Sequence, residues 1–206
     1  MTILQSVLAF IAAAALLTIT PGVDTAMVLR CAAVGGARPA AFAAAGIALG
    51  CMLWGALVSV GLGALIAASP LAFGVLKWFG AAYLLWLGIG LILKPRNGIG
   101  EGGETVSRDA WTAMRRGLLT NLLNPKVGVF YVTFLPQFVP AGVSVAGFSF
   151  LLACIHVLLG VAWFALLIAA TVPLGRWLAR PRVMLTMNRL AGGLFVGFGM
   201  KLALTR

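Results

Sequence analysis

The chain has 206 residues, 62% of them hydrophobic and 9% charged, with a mean hydropathy of +1.09, whereas soluble domains carry roughly a quarter charged residues. This is the composition of an integral membrane protein, all-α and without a soluble domain. A net charge of +11 and a pI of 11.2 would suit nucleic acid, but a nucleic-acid reader needs a basic face on a folded soluble module, and the apolar segments leave too little chain to build one.

A spanning helix needs about twenty mainly apolar residues, and six such segments follow one another: Ile3 to Leu29, Ala40 to Ala67, Leu71 to Leu93, Gly117 to Val139, Val143 to Val172 and Val183 to Leu204. The amino end, Met1-Thr2-Ile3-Leu4-Gln5, carries no Lys or Arg. A secretory signal begins with a basic region, so the first segment reads as an uncleaved helix, although Ala13-Ala14-Ala15 resembles a cleavage site. Two segments are interrupted by proline beside a charge, at Thr20-Pro21-Gly22-Val23-Asp24 and at Asn121-Leu122-Leu123-Asn124-Pro125-Lys126. Lipid offers the backbone no hydrogen-bond partner, so a helix broken at membrane depth must be buried in protein or line a cavity. The interruptions therefore mark the expected site. Between the third and fourth segments, Pro95 to Arg115 is Gly-rich and carries Glu101, Glu104 and Asp109, as a linker does.

The basic residues set the orientation. Arg30, Arg38, Lys94, Arg96, Arg108, Arg115, Arg116, Arg176, Arg180, Arg182 and Arg189 fall on one side of the six segments; Lys77, Lys201 and Arg206 fall on the other, and Lys126 lies within a span. By the positive-inside pattern the rich loops are cytoplasmic and both termini are outside.

The two halves read as repeats of one another. The first and fourth segments share the interrupting proline, the second and fifth share Cys51 and Cys154, and the third and sixth share glycine-studded runs at Gly80 to Gly88 and Ala191 to Gly199. A repeat of three spans is odd in number, so its second copy enters from the opposite side. The expected organisation is a single transmembrane domain over 1–206, with repeat one at 1–93, a cytoplasmic linker at 94–116 and repeat two at 117–206. Transporters of this inverted kind bind substrate near the midplane, at discontinuous helices.

The run Thr20 to Asp24, the loop that follows, Leu119 to Lys126 and Phe134-Leu135-Pro136-Gln137-Phe138 together resemble the lysine-exporter (LysE-type) family of translocators over the whole chain, in order and length. The resemblance implies a small inner-membrane exporter of amino acids or related metabolites, and not an enzyme. It departs at Val23, where the family commonly has a second proline.

A helix restarting after Pro21 or Pro125 exposes N–H groups suited to a carboxylate, and the carbonyls before a break suit an ammonium; a zwitterion needs both. The expected substrate-binding residues are Thr20, Pro21, Gly22, Asp24, Asn121, Asn124, Pro125 and Lys126. Asp24 either receives the ammonium or a proton, and Lys126 holds the carboxylate; alternatively the two form an ion pair tying the broken helices together. Asp24 and His156 are the proton-relay candidates, with a structural His156 bonded to a neighbouring helix as the plainer reading. Gln137 reads as a helix end, and Gly46, Gly50, Gly193 and Gly197 as close helix contacts.

Nothing resembles a nucleotide-binding loop ending Gly-Lys-Ser/Thr, so transport energy is expected from an ion gradient, with the proton as the ion. No cofactor is expected, and one His, few carboxylates and scattered thiols give no metal-ligand cluster. Partners are expected to be the amino-acid substrate, membrane lipid and a second copy of the chain as a homodimer. A thiol–disulfide electron carrier would need two thiols able to meet, one poised as thiolate; Cys51 and Cys154 lie among apolar residues, away from the proline breaks, and read as buried small hydrophobes. A non-transporting scaffold would leave the intramembrane Asp and Lys unexplained.

The charge bias has a direct test. A reporter fused after Arg206 is expected to act outside the cell, and a cysteine placed between Gly98 and Gly103 to resist an impermeant label added externally. External labelling of that loop would overturn the orientation.

Overall fold

The computed structural model describes residues 2–68, 70–93, 109–170 and 180–204, and among them every regular element is helical. Lys94, Arg96, Glu101, Glu104, Arg108, Arg176, Trp177 and Arg206 lie outside the described residues.

α1 (Ile3–Ile19) opens with a capping box, in which Gln5 N donates to Thr2 Oγ1 and Thr2 N donates to Gln5 Oε1. It ends before Pro21, which has no N–H to continue the ladder, and after the extended Gly22 the chain resumes as α2 (Val23–Gly35). The two helix axes bend by 51°. Gly36 alone joins α2 to α3 (Ala37–Ala68); its φ of +84° is a conformation that favours glycine. α4 spans Pro70–Leu93.

α5 (Ala110–Leu122) starts earlier than the expected fourth segment, because Thr112 N donates to the Asp109 carboxylate at 2.7 Å and caps the helix. The stretch from Ala110 to Arg116, assigned above to the linker, is therefore helical. The Thr112 bonds also hold the Asp109 carboxyl below the usual carboxylate range. α5 breaks at Leu123 and Asn124, again with a bend of 51°. α6 (Pro125–Val129) then runs on through a π turn over Phe130–Phe134 and a 3-10 turn over Leu135–Phe138. Gln137 donates back to the Thr133 carbonyl at 2.9 Å, as a helix end does. Gly142, also at φ +84°, precedes α7 (Val145–Ala169), which Ser144 caps. α8 spans Pro181–Leu204.

Among the described residues α3 and α7 are long and apolar enough to cross a membrane, and so is each bent pair if read as a single broken span. α3 is the central element, packed on α2, α5 and α7, while α4 packs on α8. The α3–α5 crossing brings backbone to backbone: a Cβ at Gly46 would fall on the Met114 carbonyl, and one at Gly117 on the Ala43 carbonyl. At the α4–α8 crossing a Cβ at Gly88 would stand 2.7 Å from the Gly192 carbonyl and one at Gly199 3.0 Å from that of Ala81. Among the described residues Gly193 and Gly197 meet no helix of the same chain, since both face open space. The stripe that touches α4 lies elsewhere on α8.

Two apolar clusters border the breaks. One stacks Phe130 on Phe134 with ring centroids 5.0 Å apart and sets Phe10 edge-on to Phe138 at 5.5 Å. The other gathers Val28, Ala43, Ile47, Phe164 and Leu167. Replacing Gly46 with Val should therefore lower the melting temperature in detergent, with overpacking costing about 1–3 kcal/mol, while Gly193→Ala should change it by less than about 0.5 kcal/mol. Equal melts for the two variants would contradict the close α3–α5 approach.

Candidate functional site

Pro21 governs the first break through a missing bond. In a continuous helix residue 21 would donate to the Leu17 carbonyl; proline leaves that acceptor open. Lys126, the second residue of α6, fills it: its Nζ donates to the carbonyls of Leu17 and Thr20 at 3.1 Å each. An ammonium of one broken helix thus caps the carbonyl end of the other, where the macrodipole also favours a cation. A lysine at membrane depth costs about 2.5–3.5 kcal/mol on insertion scales, and each hydrogen bond from a charged donor contributes about 1.5–3 kcal/mol. Two such bonds are enough to offset the cost. The Lys126 side chain runs along Gly22, where a Cβ would be 3.8 Å from Nζ. That is ordinary contact, and the extended backbone there suits any residue, so neither space nor conformation demands this glycine.

The second break is closed from within. The Asn121 carbonyl, which Pro125 leaves open, accepts from Asn124 N at 3.0 Å, and Asn124 in turn caps α6: its Oδ1 accepts from Lys126 N and its carbonyl from Val127 N and Gly128 N, all at 3.1 Å. The N–H groups expected to lie open after Pro125 are therefore occupied. Gly22, by contrast, gives α2 no side-chain cap.

Asp24 sits in the first turn of α2. Asn121 Nδ2 donates to its Oδ2 at 2.8 Å and approaches Cys51 Sγ at 3.3 Å. Asn121 is fully buried, and its amide lies over Gly50, where a Cβ would come within 2.5 Å of Oδ1. Glycine at 50 makes that amide position possible. The second carboxylate oxygen, Asp24 Oδ1, is buried and accepts no hydrogen bond; the Asn124 amide and the Lys126 charge lie close enough to act on the carboxylate. On α7, His156 Nδ1 and the Tyr131 hydroxyl are 3.0 Å apart, both side chains buried. Tyr131 belongs to the π turn, an irregularity common at functional sites.

One cavity of about 60 Å³ joins these groups. Of the residues expected from sequence, Thr20, Gly22, Asp24, Asn124, Lys126 and His156 line it; Asn121 stands behind Asp24, and Pro21 and Pro125 set the breaks without lining the space. Cys51, expected to lie apart from the proline breaks, lines the cavity and meets Asn121. The reason is the close α3–α5 crossing, which brings this turn of α3 against the end of α5. All three thiols are free. Sequence reasoning also missed Thr18, Thr25, Tyr131 and the apolar residues Ile47, Val157, Val161 and Phe164. Pockets that enclose a ligand usually measure about 300–1,000 Å³, so an amino acid fits only if the helices part.

The chain is similar to known proteins over nearly its whole length. The family model of the LysE type translocators matches residues 15–206. The chain is 30% identical to the uncharacterized membrane protein YrhP of Bacillus subtilis, over 98% of this chain and 100% of that one. It is 32% identical to a leucine efflux protein of Enterobacter sp. (strain 638), over 94% and 93%, and 32% identical to a homoserine/homoserine lactone efflux protein of Salmonella typhi, over 96% of each. No solved structure matches it. With nearly its whole length matched by the family model and by these relatives, the chain belongs to the LysE-type translocator family.

Proposed function

We propose that this protein is a secondary transporter of the bacterial inner membrane, exporting small amino acids or related zwitterionic metabolites in exchange for protons. The observation that carries the reading is a single cavity lined by Asp24 from one broken helix and Lys126 from the other. Efflux of amino acids is the named activity of the leucine and homoserine relatives.

In this reading the six spans are α1 with α2, α3, α4, α5 with α6, α7 and α8, arranged as two inverted repeats with both termini outside. Several correspondences support it. Each half begins with a pair bent by 51°, passes through a glycine at φ +84° and continues into a long apolar helix, α3 or α7. The third helices of the two halves, α4 and α8, pack on each other.

The chemistry follows from the two charges. The substrate ammonium binds the free oxygen of Asp24, and its carboxylate draws Lys126 away from the carbonyls of Leu17 and Thr20. That exchange removes the bond between the broken helices and lets them part. Asp24 binds either a proton or the ammonium, never both, which couples export to proton entry; the buried His156–Tyr131 pair is the relay beside it. The cysteines need no redox role.

Asp24→Asn and Lys126→Ala should each lower efflux from proteoliposomes by tenfold or more, the loss of about 1.5–3 kcal/mol expected when one charged partner is removed, with insertion retained. The exchanged pair Asp24→Lys with Lys126→Asp should stay inactive, because its charges meet the zwitterion the wrong way round. Recovered export in that variant would mean that the charges only tie the helices together.

Coupling has its own measurement. A pH gradient directed against the amino-acid flux should speed export, and an ionophore that collapses the gradient should abolish the gain. Export indifferent to the gradient would remove the proton from the mechanism.

A further inference from the structure

Among the cavity-lining positions that the charge chemistry does not use, one on α7 stands apart. On α7 the buried residues Ser149, Leu152, Ala153, His156, Phe164 and Leu167 mark the inward face, and Gly160 lies on the same stripe, one turn after His156 and one before Phe164. Elsewhere in the fold the inward glycines Gly46 and Gly117 are filled by a neighbouring backbone. Gly160 differs: it is half-buried, it lines the cavity, and a Cβ there would meet nothing within 4 Å. The space in front of it is the cavity itself. Val157, Val161 and Phe164 line the cavity beside it, giving an apolar surface with room left by the missing side chain.

We propose that this part of α7 is the subsite for the substrate's side chain, that Gly160 sets its size limit, and that it takes uncharged side chains. The proposal rests on the exporter reading above. There Asp24 receives the α-ammonium, and it is the sole carboxylate among the cavity-lining residues. A second cation on the substrate would be desolvated without a counter-ion, which is strongly unfavourable. An aliphatic side chain meets only apolar partners.

Gly160→Ala and Gly160→Val are suitable probes, since a Cβ has space and alanine is the better helix former. Purified wild-type and variant proteins are reconstituted in liposomes loaded with equal alanine, leucine and lysine, and release of each is measured, with Leu158→Val on the exposed face of the same helix as control. The expected result is a leucine-to-alanine release ratio that falls stepwise from Gly to Ala to Val, by about tenfold or more for Val, with the control ratio unmoved and lysine retained. Melting of each variant in detergent accompanies the ratio, so that unfolding is not mistaken for selectivity. A ratio unchanged by Gly160→Val, a parallel loss of both substrates in a folded variant, or lysine release at the leucine rate would overturn the subsite while leaving the exporter reading in place. Wild-type protein releasing none of the three would overturn the exporter reading and the subsite with it.

Discussion

The bond from Lys126 to the end of α1 is the interaction on which the site depends. Proline at 21 removes one N–H, the Leu17 carbonyl loses its partner, and in a membrane that loss has no remedy from water. The remedy comes from a side chain more than a hundred positions away in sequence. The same contact gives a half-buried ammonium its acceptors, joins the two broken helices and holds a positive charge at the cavity wall.

The two breaks share a bend but not a closure. Asn124 caps the second one locally, with its side chain and its carbonyl together taking three N–H groups. At the first break the Thr20 hydroxyl closes only on the Leu16 carbonyl, and the carbonyls of Leu17 and Thr20 accept from Lys126. A break that closes on itself is stable in any arrangement of the helices, whereas one closed from another helix changes when that helix moves. This asymmetry leaves the Leu17–Thr20 end dependent on the position of α6. Asp24 is held more firmly: Asn121, seated over Gly50, fixes one oxygen, while the other is buried without a hydrogen bond.

Local chemistry was legible in the sequence, and contacts between distant turns were not. Proline and charge inside apolar runs identify the breaks and the charged groups because both are intolerable in lipid without a structural answer. They do not say which atom answers. The donation of Lys126 to the carbonyls of Leu17 and Thr20 was not foreseen, and the N–H groups after Pro125 are consumed by Asn124. Cys51 was placed among apolar neighbours along the chain, yet the crossing of α3 on α5 sets it against Asn121. Gly46 and Gly193 carry the same spacing pattern, but within the described residues only the first meets a helix, because the face that α8 turns to α4 carries Gly192 and Gly199, opposite Gly88 and Ala81. The π turn that delivers Tyr131 to His156 leaves no pattern in hydropathy.

The claim that Lys126 alternates between the α1 carbonyls and a substrate carboxylate is tested most directly by comparing two ligands that differ only in that carboxylate. Calorimetric binding of leucine and of its decarboxylated amine to wild-type protein and to Lys126→Ala separates the two roles. The expected result is a reversal of preference: the wild type binds leucine more tightly, and the variant binds the amine more tightly, since Asp24 still receives either ammonium while the leucine carboxylate has lost its counter-charge. Undiminished leucine binding by Lys126→Ala, or equal weakening of both ligands, would contradict it.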